Sequence, residues 1–271
     1  MKYCLNYNRD TERANHIQDA DEWTIKYNSK DTTLLEFLDL HKDKRINIYF
    51  EEEIKQDFLE ELCNKYSNVY IKLNYQLYDK IFADKQNKPK IRFFFDTQIS
   101  DVDTLNALLK LGATDVYIVE NLCFELDKIS ELVHSYNAAI RVYPNIAQSK
   151  WDDTPALKKF FIRPEDIDEY EKYVDTIEFY NVDKQIDIYY NIYKIKKQWF
   201  GKLNEIILDF NSEIDNKYII PRFAEMRIKC GKNCFKGGHC RRCEVIEELS
   251  SSLEQSELIV KIDKNKEGID G

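Results

Sequence analysis

The sequence predicts an α/β protein of the (β/α)8 TIM-like barrel type that carries a C-terminal cysteine-rich metal-binding segment. Three observations predict it. Short apolar strand candidates alternate with helix-sized segments over about the first 180 residues, and such alternation implies parallel pairing, because each crossover returns the chain to the same end of the sheet. Polar and charged residues gather at the predicted C-terminal strand ends, where barrels build their sites. Four of the seven cysteines fall within the fourteen residues from Cys230 to Cys243.

The first strand candidate is KYCLNYN at 2–8. A polar segment then leads to a short extended run around Trp23 to Tyr27, followed by apolar residues at helical spacing from Thr32 to Leu40 and by the strand RINIYF at 45–50. A helix over 52–66, the strand NVYIKLN at 68–74, a helix over 75–84 and the strand KIRFFFD at 90–96 set the rhythm. The next helix, over 101–110, stops at Gly112, a residue suited to the left-handed position that closes helices, and feeds DVYIVE at 115–120. A helix over 125–137, AAIRVYPN at 138–145, KKFFIRP at 158–164, a helix over 165–174 and TIEFYN at 176–181 complete the series. Omitting the run at Trp23, these make eight strand candidates, and helices over 184–198 and 202–210 could close the outer ring. Such a barrel usually takes about 250 residues. An open doubly wound sheet is the competing architecture, but Tyr7 to Thr11 contains no glycine, so the dinucleotide-binding fingerprint is missing. The expected division is a barrel domain over 1–215 and a cysteine-rich segment over 216–271 that includes a short helix and strand.

With 49 acidic and 40 basic side chains the formal charge is −9, which does not suggest a general nucleic-acid coat. No apolar run reaches the roughly 18 residues needed to span a bilayer, and MKYCLNYNRD turns polar too early for a signal peptide, so a cytoplasmic protein without membrane association is expected. Oligomeric state is left open. Seven cysteines cannot all pair within one chain, and a reducing compartment favours metal binding or catalysis over a disulfide framework.

Asn8, Asn74, Asp96, Glu120, Asn121 and Asn145 fall at predicted strand ends or just beyond. Asp96 and Glu120 are the candidate catalytic carboxylates, to position substrate or exchange a proton, whereas capping explains most of the asparagines. Arg141, Arg163 and Glu178 interrupt otherwise apolar strands. A charge buried there needs a partner, so one of the arginines is expected to pair with Glu178. The run Arg163-Pro164-Glu165-Asp166 reads as a helix start, with proline and acidic residues in the first turn. His16, His41 and His134 show no ligand spacing, and no Ser-His-Asp or Cys-His arrangement is legible.

The stretch CGKNCFKGGHCRRC spaces Cys230, Cys234, Cys240 and Cys243 as C-x3-C-x5-C-x2-C. Thiolates are soft ligands for an iron–sulfur cluster, with the 4Fe-4S type foremost, or for zinc, and a short glycine-bearing loop can wrap one centre. Local disulfides and free thiols are the other readings. Eight Lys or Arg residues lie between Lys217 and Arg242 against the single Glu225. Among them Arg227 and Arg241 are the candidate cofactor-binding cations, since positive charge favours thiolates and offsets a cluster. The same patch could attract phosphate, which keeps an RNA partner open beside a small molecule or a protein.

The segments LLKLGATDVYIVE at 108–120 and FFIRPEDIDEYEKYVDTIEFYN at 160–181, with Arg227 preceding CGKNC at 230–234, resemble the barrel domain of the U32 peptidase-like family. The resemblance covers residues 1 to about 243 and implies a barrel, with Cys230 and Cys234 as counterparts of family cluster ligands. It further implies either an iron–sulfur protein or a peptidase, and in the first case oxygen-independent hydroxylation or modification of RNA or of a small molecule. The alternative function is a non-catalytic, zinc-stabilised binding or adaptor protein with a basic C-terminal surface.

Overall fold

The computed structural model describes residues 1–7, 20–27, 33–50, 52, 54–82, 91–119, 122–148, 156–179, 186–196, 198–219, 223–228, 230, 245, 248 and 252. Nine strands form one parallel sheet: β1 (Lys2–Tyr7), β2 (Glu22–Tyr27), β3 (Arg45–Phe50), β4 (Val69–Leu73), β5 (Phe93–Phe95), β6 (Gln98–Ile99), β7 (Asp115–Ile118), β8 (Ala139–Val142) and β9 (Thr176–Glu178). Their order is β5-β4-β3-β2-β1-β9-β8-β7-β6. The two ends of that order, β5 and β6, are consecutive in the chain with only Asp96 and Thr97 between them. The Thr114 N–H, just before β7, donates to the Phe93 carbonyl at 2.8 Å. The sheet therefore curls until its two edges meet along one broken segment, a TIM-barrel-like architecture.

Helices α1 (Leu34–Leu40), α2 (Gln56–Lys65), α3 (Tyr75–Ile81), α4 (Val102–Leu111), α5 (Leu126–Ser135), α6 (Ile167–Tyr170), α7 (Ile186–Lys194) and α8 (Phe223–Ile228) alternate with or follow the strands. Alternation along each strand sorts the two faces of the sheet. Ile46, Ile48, Val69, Ile71, Val116 and Ile140 share one continuous apolar core with Leu59 and Leu62 of α2, Leu105 and Leu108 of α4, and Ile129 and Val133 of α5. Each such side chain contributes about 1.5–3 kcal/mol when fully buried. Phe223, Ala224 and Ile228 of α8 join the same core. The intervening strand positions carry Arg45, Asn47, Lys72, Asp115, Arg141 and Glu178, and they face inward.

Two local features fix the ends of outer helices. The Arg92 guanidinium donates to the carbonyls of Cys63 and Tyr66 at 2.6 and 2.5 Å and to that of Val69 at 3.0 Å, so a cation closes the C-terminus of α2 and ties it to β4. Gly112 closes α4 in the left-handed region with φ 94°, and its N–H reaches the carbonyls of Leu108 and Leu109. A Cβ added there would meet nothing within 4 Å. The cost of Gly112→Ala is then conformational alone, and urea denaturation is expected to register a loss of about 1–2 kcal/mol. An unchanged unfolding free energy would mean that the turn relaxes out of that region freely.

The expected fold is corrected in two respects. The sheet has nine strands rather than eight units of a regular barrel, because the chain breaks at Asp96 and Thr97, and its membership differs. Glu22–Tyr27 is a full strand, in register with both β1 and β3. The segment KKFFIRP is not one: Phe160 makes only an isolated antiparallel bridge to Gln148. The carbonyls of Lys159 and Phe161 instead accept from Arg227, and that of Ile162 accepts from the Tyr193 hydroxyl. The cysteine-rich metal-binding segment is the second correction, described with the site below.

Candidate active site at the C-terminal face

Ion pairs, some of them between strands that are not neighbours, cross the space the sheet encloses. Arg141 on β8 donates through Nη2 to Glu22 on β2 and through Nε to Asp115 on β7 at 2.8 Å. From β3, Arg45 reaches the other Asp115 oxygen at 2.5 Å and hydrogen-bonds Asn47 at 3.0 Å. Asn47 in turn donates to Glu22 at 3.4 Å. Aromatic faces complete the layer, with the Arg45 guanidinium 3.6 Å from the Tyr70 ring centre and that of Arg141 4.9 Å from Phe94. Burial pushes the Asp115 carboxyl up, but the guanidiniums of Arg141 and Arg45 outweigh it and hold the group below the usual carboxylate range. Cys4 lies in this layer too, 3.4 Å from the Thr24 hydroxyl, with burial first and then the charge of Glu178 pushing its thiol up to about 12. A thiol so placed is inert.

Above this layer the network opens toward the C-terminal ends of the strands. Lys72, near the end of β4, sends its ammonium to Asp96 at 3.1 Å, Glu178 at 3.2 Å and the Tyr143 hydroxyl at 3.4 Å. Asp96 follows β5, Tyr143 follows β8 and Glu178 ends β9, so four strands meet at one ammonium. The Tyr117 hydroxyl donates to Glu178, and its ring stacks on that of Tyr143 with centres 5.0 Å apart. Burial acts to discharge Lys72, but Glu178, Tyr143 and Asp96 together raise its pKa above the ordinary lysine value and keep it an ammonium. Burial likewise opposes the charge of Glu178, and Lys72, Arg141 and the Tyr117 hydroxyl overcome it to hold the carboxyl below its usual range. The side chains of Lys72 and Glu178 are 7% and 1% exposed, against 36% for Asp96. Asp96 is thus the member of the cluster open to solvent. Its backbone N–H is still tied to the Leu73 carbonyl at 2.8 Å, directly where the strand breaks. Interruptions of this kind re-aim side chains beside active sites.

Of the expected catalytic pair, Asp96 stands in this cluster and Glu120 lies outside the described residues. Asn74 caps α3, accepting from the Leu77 N–H at 2.7 Å. The expected pairing of an arginine with Glu178 is present, with Arg141 Nη1 3.6 Å from Glu178 Oε2, although Asp115 and Glu22 are the closer partners. Arg163 instead forms a bidentate pair with Asp166 at 2.6 and 2.8 Å and donates to Asn216 at 3.1 Å, joining the turn before α6 to residues 215–218. Lys72, Tyr143 and Tyr117 escaped the sequence reading. Their signal was the second-position alternation of Tyr70 and Lys72, or of Arg141 and Tyr143, within strands covered by helices.

The C-terminal expectations are corrected. Among the described residues no group of three or more His, Cys, Asp or Glu side chains is arranged to hold a metal ion. The described carboxylates of the interior are committed to arginine and lysine, and Cys4, Cys63 and Cys123 are buried at separate places in the fold. Cys230 is half-buried in the turn after α8, its N–H donating to the Arg227 carbonyl at 3.0 Å. Cys234, Cys240, Cys243 and Arg241 lie outside the described residues. The iron–sulfur or zinc centre, with the hydroxylation and zinc-adaptor functions built on it, is therefore set aside. Arg227 is buried on α8 and bonds the carbonyls of Lys159 and Phe161, with ring centres of Phe161, Phe223 and Phe124 4.5, 5.0 and 5.1 Å from its guanidinium.

Among the described residues no helix is long and apolar enough to cross a membrane. A comparison with protein-family models finds none that matches the chain, and a comparison with curated proteins finds no match either.

Proposed function

We propose that this protein is an enzyme of general acid–base type acting on a small polar substrate at the C-terminal face of its curled sheet, with Asp96 as the group that takes and returns a proton. One observation carries the reading: a partly exposed carboxylate at a strand break, fixed by a buried ammonium that a second, buried carboxylate holds in place. Lys72 is the positioning residue. Its charge anchors one oxygen of Asp96, and Glu178, secured by Tyr117 and Arg141, prevents the ammonium from swinging out. The second Asp96 oxygen serves the substrate. A proton leaving a substrate C–H or O–H passes to that oxygen and returns to the product from the same atom, so no net acid or base is consumed.

The test is exchange of solvent deuterium into a panel of small hydroxy and keto acids, sugars and amides, followed by NMR. Wild-type protein is expected to label at least one compound. Asp96→Asn is expected to slow that exchange by about 10²–10⁴-fold, the usual contribution of a positioned acid or base. Equal rates in the two proteins, or no exchange with any compound, would overturn the reading.

A further inference from the structure

After a turn at Pro144 and Asn145 the chain is held from both sides through bridges at Ile146 and Gln148. The Asn145 carbonyl accepts from Leu208 at 2.8 Å and the Ala147 N–H donates to the Leu208 carbonyl at 2.7 Å, while Gln148 and Phe160 exchange two backbone hydrogen bonds of 2.8 Å. With its backbone so pinned, Gln148 is 7% exposed, and neither its Nε2 nor its Oε1 has a hydrogen-bond partner among the described residues. Most buried side-chain amides are satisfied, and one left bare on a rigid segment marks a place where a partner is missing. Ile146 and Gln148 are two residues apart on this segment and so lie on the same side of it. Ile146 packs on the group formed by Phe94, Tyr117 and Tyr143, the aromatic wall of the cluster around Lys72.

We infer that Gln148 is a substrate-recognition residue of this site and that it reads a planar group presenting an N–H donor beside a carbonyl acceptor, as in a carboxamide or a cyclic imide. A glutamine amide offers the complementary acceptor and donor on one plane, so such a group satisfies both of its bare atoms at once. A hydroxyl or a carboxylate satisfies only one of them well. The inference rests on the acid–base reading above only for the location of the site, and it supplies the substrate class that reading leaves open.

The experiment measures thermal unfolding of the full chain with benzamide, succinimide or uracil, and with methyl benzoate as the probe that lacks the N–H. At least one of the first three is expected to raise the wild-type midpoint and methyl benzoate is not. Gln148→Leu is expected to unfold at a higher temperature than wild type without any probe, because it removes two bare polar atoms, and to bind the effective probe at least tenfold more weakly. Three results would overturn the inference: a lower midpoint for Gln148→Leu, which shows an amide already satisfied by buried water; an undiminished probe response in that variant; or no response of the wild type to any of the three. Asp96→Asn separates this inference from the acid–base reading. A Gln148-dependent probe response without any Asp96-dependent exchange refutes the acid–base reading alone, and Asp96-dependent exchange that Gln148→Leu leaves intact refutes the recognition role alone.

Discussion

Arg141→Met is expected to destabilise the folded protein by about 3–5 kcal/mol, the usual cost of removing one partner from a buried ion network. The side chain is 0% exposed and bonds Asp115 and Glu22, with Glu178 at 3.6 Å. Methionine fills much of the volume but leaves three carboxylates sharing fewer cations inside the sheet. Arg45 still holds Asp115 at 2.5 Å, and Lys2 still lies 3.5 Å from Glu22, so the loss stops short of complete unfolding. Urea denaturation followed by circular dichroism reads the change. Adding Glu22→Gln to the variant is expected to restore part of the stability, because it removes one of the uncompensated charges. A loss below about 1 kcal/mol for Arg141→Met would show that the interior is loose enough for water to replace the guanidinium.

The second large effect is a steep loss of stability in acid. The carboxyls of Asp115 and Glu178 titrate below their ordinary values in the folded chain, because cations outweigh the burial that opposes their charge. Above the unfolded-state values of about 4 both groups are ionised in either state, and their contribution to stability is fully present. As pH falls through that region and then through the depressed folded values, the unfolded chain takes up protons first and the contribution is lost. Each unit of depression is worth about 1.4 kcal/mol. Urea midpoints are therefore expected to be flat from neutral pH to about 5 and to drop sharply below about 4. In Arg141→Met the drop is expected to begin at higher pH, since Asp115 and Glu178 each lose a cation that holds them ionised. Midpoints unchanged down to pH 3 would contradict the depressed titration of both groups.

The alternation of strands and helices was readable from residue order, because an apolar strand, a helix-sized crossover and another strand leave parallel pairing as the simple solution. Gly112 was readable for the same local reason, and so was Asp96 as a strand-end carboxylate. Glu22–Tyr27, read as a short extended run, was left out of the strand count because Glu22, Thr24 and Lys26 alternate with its apolar residues and weaken the apolar signal of a strand. KKFFIRP was overcounted for the opposite reason. Its apolar run is buried by α8 and α7 side chains rather than by neighbouring strands, and composition alone does not distinguish the two kinds of burial. The cysteine spacing was the loudest signal in the chain, yet ligand spacing is only a permission to fold around a metal. It does not show that side chains converge.

By itself the sequence determined the local and the periodic: where strands and helices run, where helices stop, and which strand faces are apolar. Those depend on neighbours within a few residues, whose preferences act before the chain is compact. Only the tertiary structure decided that Arg45, Lys72, Asp115, Arg141 and Glu178 turn inward together and that Asp96, Tyr143 and Glu178 meet at the Lys72 ammonium. Residues as far apart as 72 and 178 are joined by the curl of the sheet, and their charges have value only once burial removes the water that would otherwise screen them.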